Sequence, residues 1–129
     1  MLKKYSLIIS TVYSMLLLAL SLIKVNTAGP ELPTNSDKIF HAVAHFVFTV
    51  LWYLAFVSKK VENKSAIIYA FISSTIFGIA VEILQGTLTQ NRESDVKDII
   101  ANIIGAIIAS ILIISIKKDS LKNNNTLLF

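Results

Sequence analysis

The chain has 129 residues, 54% of them apolar and 16% charged, with a mean hydropathy of +0.68. A soluble domain carries about 45–50% apolar and about 25% charged residues, so the balance is that of a one-domain integral membrane protein, residues 1–129. The absence of cysteine excludes disulfides, thiolate metal sites and cysteine nucleophiles, and the net charge of +4 comes from lysines that flank apolar runs, a topological pattern rather than a nucleic-acid surface.

A hydrocarbon core about 30 Å thick needs roughly 20 apolar residues in a helix. The first candidate span, Tyr5 to Ile23, carries no charge. The basic start Met1 to Lys4 and the "VNTAGP" that follows the run, with Ala28 as a small residue before a cut, resemble a signal peptide. The apolar run is long for that role and near the length needed to cross, so a retained helix is the preferred reading. Pro30 and Pro33 fall in the loop that follows. The second span, Ile39 to Val57, is interrupted by His41 and His45; the third, Ala66 to Leu84, by Glu82; the fourth, Ile99 to Ile116, carries Asn102 near its start. The tail from Lys117 to Phe129 reads as a short flexible end. The expected fold is therefore an all-α bundle of four transmembrane helices.

With the amino terminus inside, the cytoplasmic segments hold Lys3, Lys4, Lys59, Lys60, Lys64, Lys117, Lys118 and Lys122, against Lys24, Lys38, Arg92 and Lys97 in the outer segments. The positive-inside rule then predicts that both termini are cytoplasmic. In that orientation the polar residues of three spans meet at the outer face. Asp37, His41 and His45 are spaced i, i+4, i+8 and share a slowly drifting stripe. Glu82 and Gln85 form an i, i+3 pair, Asp98 and Asn102 an i, i+4 pair that Gly105 continues, and Arg92 lies in the loop between. Polar groups in membrane helices face the bundle interior or a water-filled cavity.

Ordinary structural roles compete for most of these residues. Asp37 and Asp98 suit helix first turns, His41 and His45 suit interhelical hydrogen bonds, and Gly78 and Gly105 suit close helix packing. Trp52, Tyr53 and Tyr69 suit interface anchors. Glu82 resists such a role, because the dipole at the carboxyl end of a helix repels its charge and burial of an acid at mid-membrane costs about 2.5–3.5 kcal/mol. Arg92 or a protonated His41 is the expected partner.

Three blocks, "DKIFH" (Asp37 to His41), "EILQ" (Glu82 to Gln85) and Arg92 with Asp98, Asn102 and Gly105, resemble the VanZ-like family of small bacterial membrane proteins in order, spacing and helix placement. The resemblance spans about residues 36–109. His45 departs from it, standing where an aromatic is common. The resemblance implies a multi-pass protein of the bacterial cytoplasmic membrane, and a link to glycopeptide resistance of the teicoplanin type, with which the name-giving member is associated.

The expected function is binding, with no cofactor: Asp37, Lys38, His41, Glu82, Gln85, Arg92, Asp98 and Asn102 would hold a polar headgroup or a lipid-linked glycan at the outer leaflet. Arg92 would suit a phosphate or carboxylate through its planar fork of donors. The alternative is an intramembrane enzyme on a lipid-linked substrate, with Asp37 or Glu82 as base and His41 as proton carrier. Ser94 lacks a nucleophile elbow. A metal variant would use His41, His45 and Glu82, but the HExxH motif is missing and no metal is expected. Transport is the weakest reading, since the inner halves of spans three and four offer only Ser73, Ser74, Thr75, Ser110 and Ser115. The expected partners are the bilayer and its lipids, not nucleic acid.

Overall fold

The computed structural model describes residues 2–23, 36–88 and 95–127. Among them the chain forms four helices, α1 (Leu2–Leu22), α2 (Ser36–Ser58), α3 (Asn63–Leu88) and α4 (Val96–Leu127), and no strand. Each is long and apolar enough to cross a membrane. Only 17–33% of each span is buried inside the chain, so most of every helix faces away from the bundle interior. Hydroxyls within the spans are satisfied locally: Thr49, Thr75, Ser110 and Ser115 each donate to the carbonyl four residues back.

α2 is the central helix. It packs on α1, α3 and α4, while α3 also packs on α4 and touches α1. The contact faces are built from small residues, with Ala44, Ala55, Ala66, Ala70, Ala101, Ala106 and Ala109 all buried, which lets backbones approach where lipid offers no hydrophobic drive. The closest approach is at Gly105, where a Cβ would overlap the carbonyl oxygen of Ala42. α1 is fastened to α2 by hydrogen bonds from Ser10 Oγ to the Leu51 carbonyl (2.8 Å), from Tyr13 Oη to the Ala44 carbonyl (2.7 Å) and from Trp52 Nε1 to Ser14 Oγ (3.0 Å). Trp52 is thus turned towards α1, and Tyr53 donates to Asn63 Oδ1 at 2.9 Å. Neither is the interface anchor that its type suggests; Tyr69, 50% exposed, keeps that option.

The turn between α2 and α3 is a Schellman closure. The amide of Val61 bonds the carbonyl of Phe56 and the amide of Lys60 that of Val57, with Lys60 in the left-handed region at φ 64°. Val61 and Phe56 pack on the same buried cluster below it.

α4 differs from expectation. It does not end near Ile116 but runs to Leu127, 32 residues in all. At 1.5 Å per residue that is about 48 Å, well beyond a core of about 30 Å. No glycine or proline follows Gly105 to stop it. Lys117, Lys118 and Lys122 lie towards its carboxyl end, where the dipole favours cations. The expected flexible tail is therefore helical as far as Leu127, and its described side chains, through Asn124, are exposed.

Candidate functional site

One end of the bundle gathers the end of α1, the start of α2, the end of α3 and the start of α4. The start of α4 sets the geometry. Asp95 is the cap: its Oδ1 accepts from the amide of Lys97 at 2.9 Å. That hydrogen bond and the neighbouring Lys38 hold the Asp95 carboxyl below the usual aspartate range. Since Asp95 supplies the cap, Asp98 is free of that role, and its side chain, 7% exposed, turns towards α2. Lys38 donates to Asp98 Oδ1 at 2.9 Å and to Asp95 Oδ2 at 3.1 Å, and stands 3.6 Å from Asp37 Oδ2. The other oxygen of Asp98, Oδ2, lies 3.5 Å from His41 Nε2.

One turn further along α4, Asn102 is 2% exposed and its Oδ1 lies 3.1 Å from His41 Nδ1. Its Nδ2 has no hydrogen-bond partner among the described residues. Gly78 of α3 makes the room: a Cβ there would come within 2.8 Å of Asn102 Nδ2 and 3.0 Å of His45 Cε1. Glu82, one turn beyond Gly78, is 1% exposed and faces the bundle interior, not lipid. Its carboxylate accepts from the amide of Asp95 at 3.3 Å. Ligand atoms of His41, Glu82 and Asp98 all lie within 4.8 Å of one another.

The helices thus bring Lys38, His41, Glu82, Asp98 and Asn102 together. Asp37 stands at the rim, its side chain 49% exposed. Gln85 is buried but reaches the other way, donating to the Ser21 carbonyl at 2.7 Å and tying the end of α1 to α3. His45 lies one turn deeper than His41, with Nδ1 2.9 Å from Ser74 Oγ and its ring beside Phe48 and Phe77. The set His41, His45 and Glu82 is therefore not assembled; Asp98 takes the place of His45. Below His45 the interior becomes aromatic, with Phe48 and Phe77 stacked at 4.8 Å. Arg92 lies outside the described residues, as do Lys24, Ala28, Pro30, Pro33 and Ser94. Asp95 is the site residue missed in the sequence, although an aspartate three positions before Asp98, opening an apolar run, is a helix-start signal.

A family model described as VanZ/LLP1 matches residues 3–117. The chain belongs to the VanZ/LLP1 family. Comparison with curated proteins and with solved structures gives no match. The family match takes in most of α1, all of α2 and α3, and α4 as far as Lys117, leaving out the helical projection beyond. Family and fold together make this a VanZ-like multi-pass membrane protein. In this VanZ-family chain the blocks around His41, Glu82 and Asp98 come from three separate helices and meet at one end of the bundle. Among the described residues there, the acids Asp37, Glu82, Asp95 and Asp98 outnumber the fixed cations Lys38 and Lys97. A histidine held between a carboxylate and an amide can carry a proton or, as the neutral ring, bind a cation.

Proposed function

We propose that this VanZ-like protein lies in the bacterial cytoplasmic membrane with its polar end outward and holds there the polar headgroup of a lipid, of the kind that carries cell-wall intermediates. The observation that carries this reading is the burial of Glu82, Asp98 and Asn102 around His41 at a helix end, next to exposed apolar residues such as Ile39, Phe40 and Ile83. A buried polar cluster at a helix end suits a molecule whose head is polar and whose tail stays in the bilayer. The orientation is supported by the lysines of the opposite end, among them Lys4, Lys59, Lys60, Lys64, Lys117 and Lys118. Arg92 belongs to the same proposal as a donor to a headgroup phosphate or carboxylate. A link to teicoplanin-type resistance rests on the family resemblance alone.

One observation favours a second reading, an intramembrane enzyme on a lipid-linked substrate: His41 and Glu82 lie within 4.8 Å of each other, as a proton carrier and a base would. Lipids retained by the detergent-purified protein, identified by mass spectrometry, test the first reading. A lipid class enriched on the wild type and lost from Asp98→Asn and Arg92→Ala supports it; the same lipid profile for all three contradicts it. Conversion of that lipid on incubation, abolished in Glu82→Gln, would move the reading to the enzyme.

A further inference from the structure

His41 Nε2 and Asp98 Oδ2 face each other at 3.5 Å in a buried part of the bundle. Asn102 Oδ1, an atom that only accepts, bonds the other ring nitrogen, Nδ1, at 3.1 Å. With the amide so oriented a neutral ring carries its hydrogen on Nδ1 and turns the Nε2 lone pair towards the carboxylate. Two electron-rich atoms in that position repel unless a proton or a metal cation lies between them, and either one fits the 3.5 Å separation. Glu82 brings a second carboxylate to within 4.8 Å of both. Lys38 bonds Asp98 through Oδ1 and leaves Oδ2 directed at His41.

We infer that His41, Glu82 and Asp98 form a binding site for a divalent metal ion of the zinc type, one ligand from each of α2, α3 and α4. Three features fit. Zinc accepts imidazole nitrogen and carboxylate oxygen, and bonds of about 2.0–2.1 Å put neighbouring tetrahedral donors roughly 3.3–3.4 Å apart. The pair His41 Nε2 and Asp98 Oδ2 already stands at 3.5 Å, and Glu82 closes the set by a side-chain movement of about an ångström. Metal-bound histidines typically donate their other ring hydrogen to a carbonyl or carboxylate, which fixes the tautomer; Asn102 Oδ1, 3.1 Å from His41 Nδ1, is placed to accept it here. Finally, Asn102 is 2% exposed and keeps this orientation although its Nδ2 has no partner among the described residues. A buried donor of that kind calls for an acceptor beyond the described residues, and a water or ligand atom would serve. Three protein ligands leave a fourth position open, as in zinc sites that bind water or substrate. His45 takes no part, being engaged with Ser74.

The full chain, purified in detergent and stripped with a chelator, is reloaded with Zn²⁺ or Co²⁺. The expected result is one ion per chain by elemental analysis, with the visible bands of four-coordinate Co²⁺. Affinity falls by about tenfold or more in His41→Gln and Asp98→Asn, and stays at the wild-type value in His45→Gln. Absence of stoichiometric Zn²⁺ and of Co²⁺ bands in the wild type overturns the site without recourse to any variant. Loss of binding in His45→Gln, with His41→Gln unaffected, overturns the ligand assignment. The site does not depend on the headgroup reading, and lipid retention measured on the stripped protein separates the two. Lipid kept without metal uptake sinks the metal site alone; metal bound with no selective lipid sinks the headgroup reading alone.

Discussion

Lys38 Nζ lies 2.9 Å from Asp98 Oδ1 and so fastens the first turn of α2 to the first turn of α4. The aspartate is nearly buried while the lysine keeps some contact with water, its side chain 28% exposed. The pair closes the polar end above His41. Asp98→Asn should lower stability by about 1.5–3 kcal/mol, the range for hydrogen bonds to charged groups. Combined with Lys38→Met in a double-mutant cycle, it should give a coupling of about 0.5–3 kcal/mol. Thermal denaturation in detergent reads both; strictly additive effects would show that the two residues do not interact.

Gly105 and Gly78 should respond differently to alanine. At Gly105 the new methyl meets the Ala42 carbonyl, a backbone atom of the central helix, and α2 and α4 must separate. At Gly78 it meets the amide of Asn102 and the ring of His45, which are side chains. Overpacking typically costs about 1–3 kcal/mol; Gly105→Ala should reach or exceed the top of that range, with Gly78→Ala below it. The alanine at Gly78 should also reduce retention of whatever the site holds, since it displaces Asn102. Equal melting temperatures for the two variants would contradict this account of the packing.

Acid should loosen the start of α4 through Asp95. Its carboxyl is lowered first by the amide of Lys97 and then by Lys38. A lowered folded-state pKa contributes stability that is present above the ordinary aspartate range and is lost as pH falls through the folded value. Asp95→Asn keeps a good capping residue but has no carboxyl to titrate. The wild type should therefore lose stability more steeply than Asp95→Asn on acidification below that range. Parallel pH profiles of melting temperature would remove Asp95 from the acid response.

The spans were legible because long apolar runs have one structural solution in a bilayer, and the polar end was legible because His41, Glu82 and Asn102 interrupt those runs where three helix ends meet. What the sequence leaves open is direction. Spacing places Gln85 on the face of Glu82, yet its amide goes to Ser21 of α1. Spacing aligns His45 with His41, yet one helical turn carries it past the carboxylates to Ser74. Asp98 has the composition of a cap, and only the position of Asp95 releases it. The length of α4 was missed because a polar run of lysine and asparagine has no apolar periodicity to follow, although nothing in it stops a helix.

The projection of α4 beyond the family match offers a separate check. Its described side chains from Ile114 to Asn124 are exposed, and the match ends at residue 117. Deleting the residues after Asp119 should shift stability by less than about 0.5 kcal/mol, as surface changes do. A large fall in melting temperature would mean that this end packs on something the bundle needs.

The central claim is that the polar end, with Lys38, His41, Glu82 and Asp98, opens to the outside of the cell. The chain has no cysteine, so one introduced thiol is unique. Val96, 68% exposed at the start of α4, lies at the polar end, and Glu62, exposed in the turn between α2 and α3, lies at the other. Neither replacement removes a lysine that sets topology. In intact spheroplasts a membrane-impermeant maleimide should label Val96→Cys at once, and Glu62→Cys only after the membrane is opened. Immediate labelling of Glu62→Cys with protection of Val96→Cys would place the polar end in the cytoplasm and contradict the account.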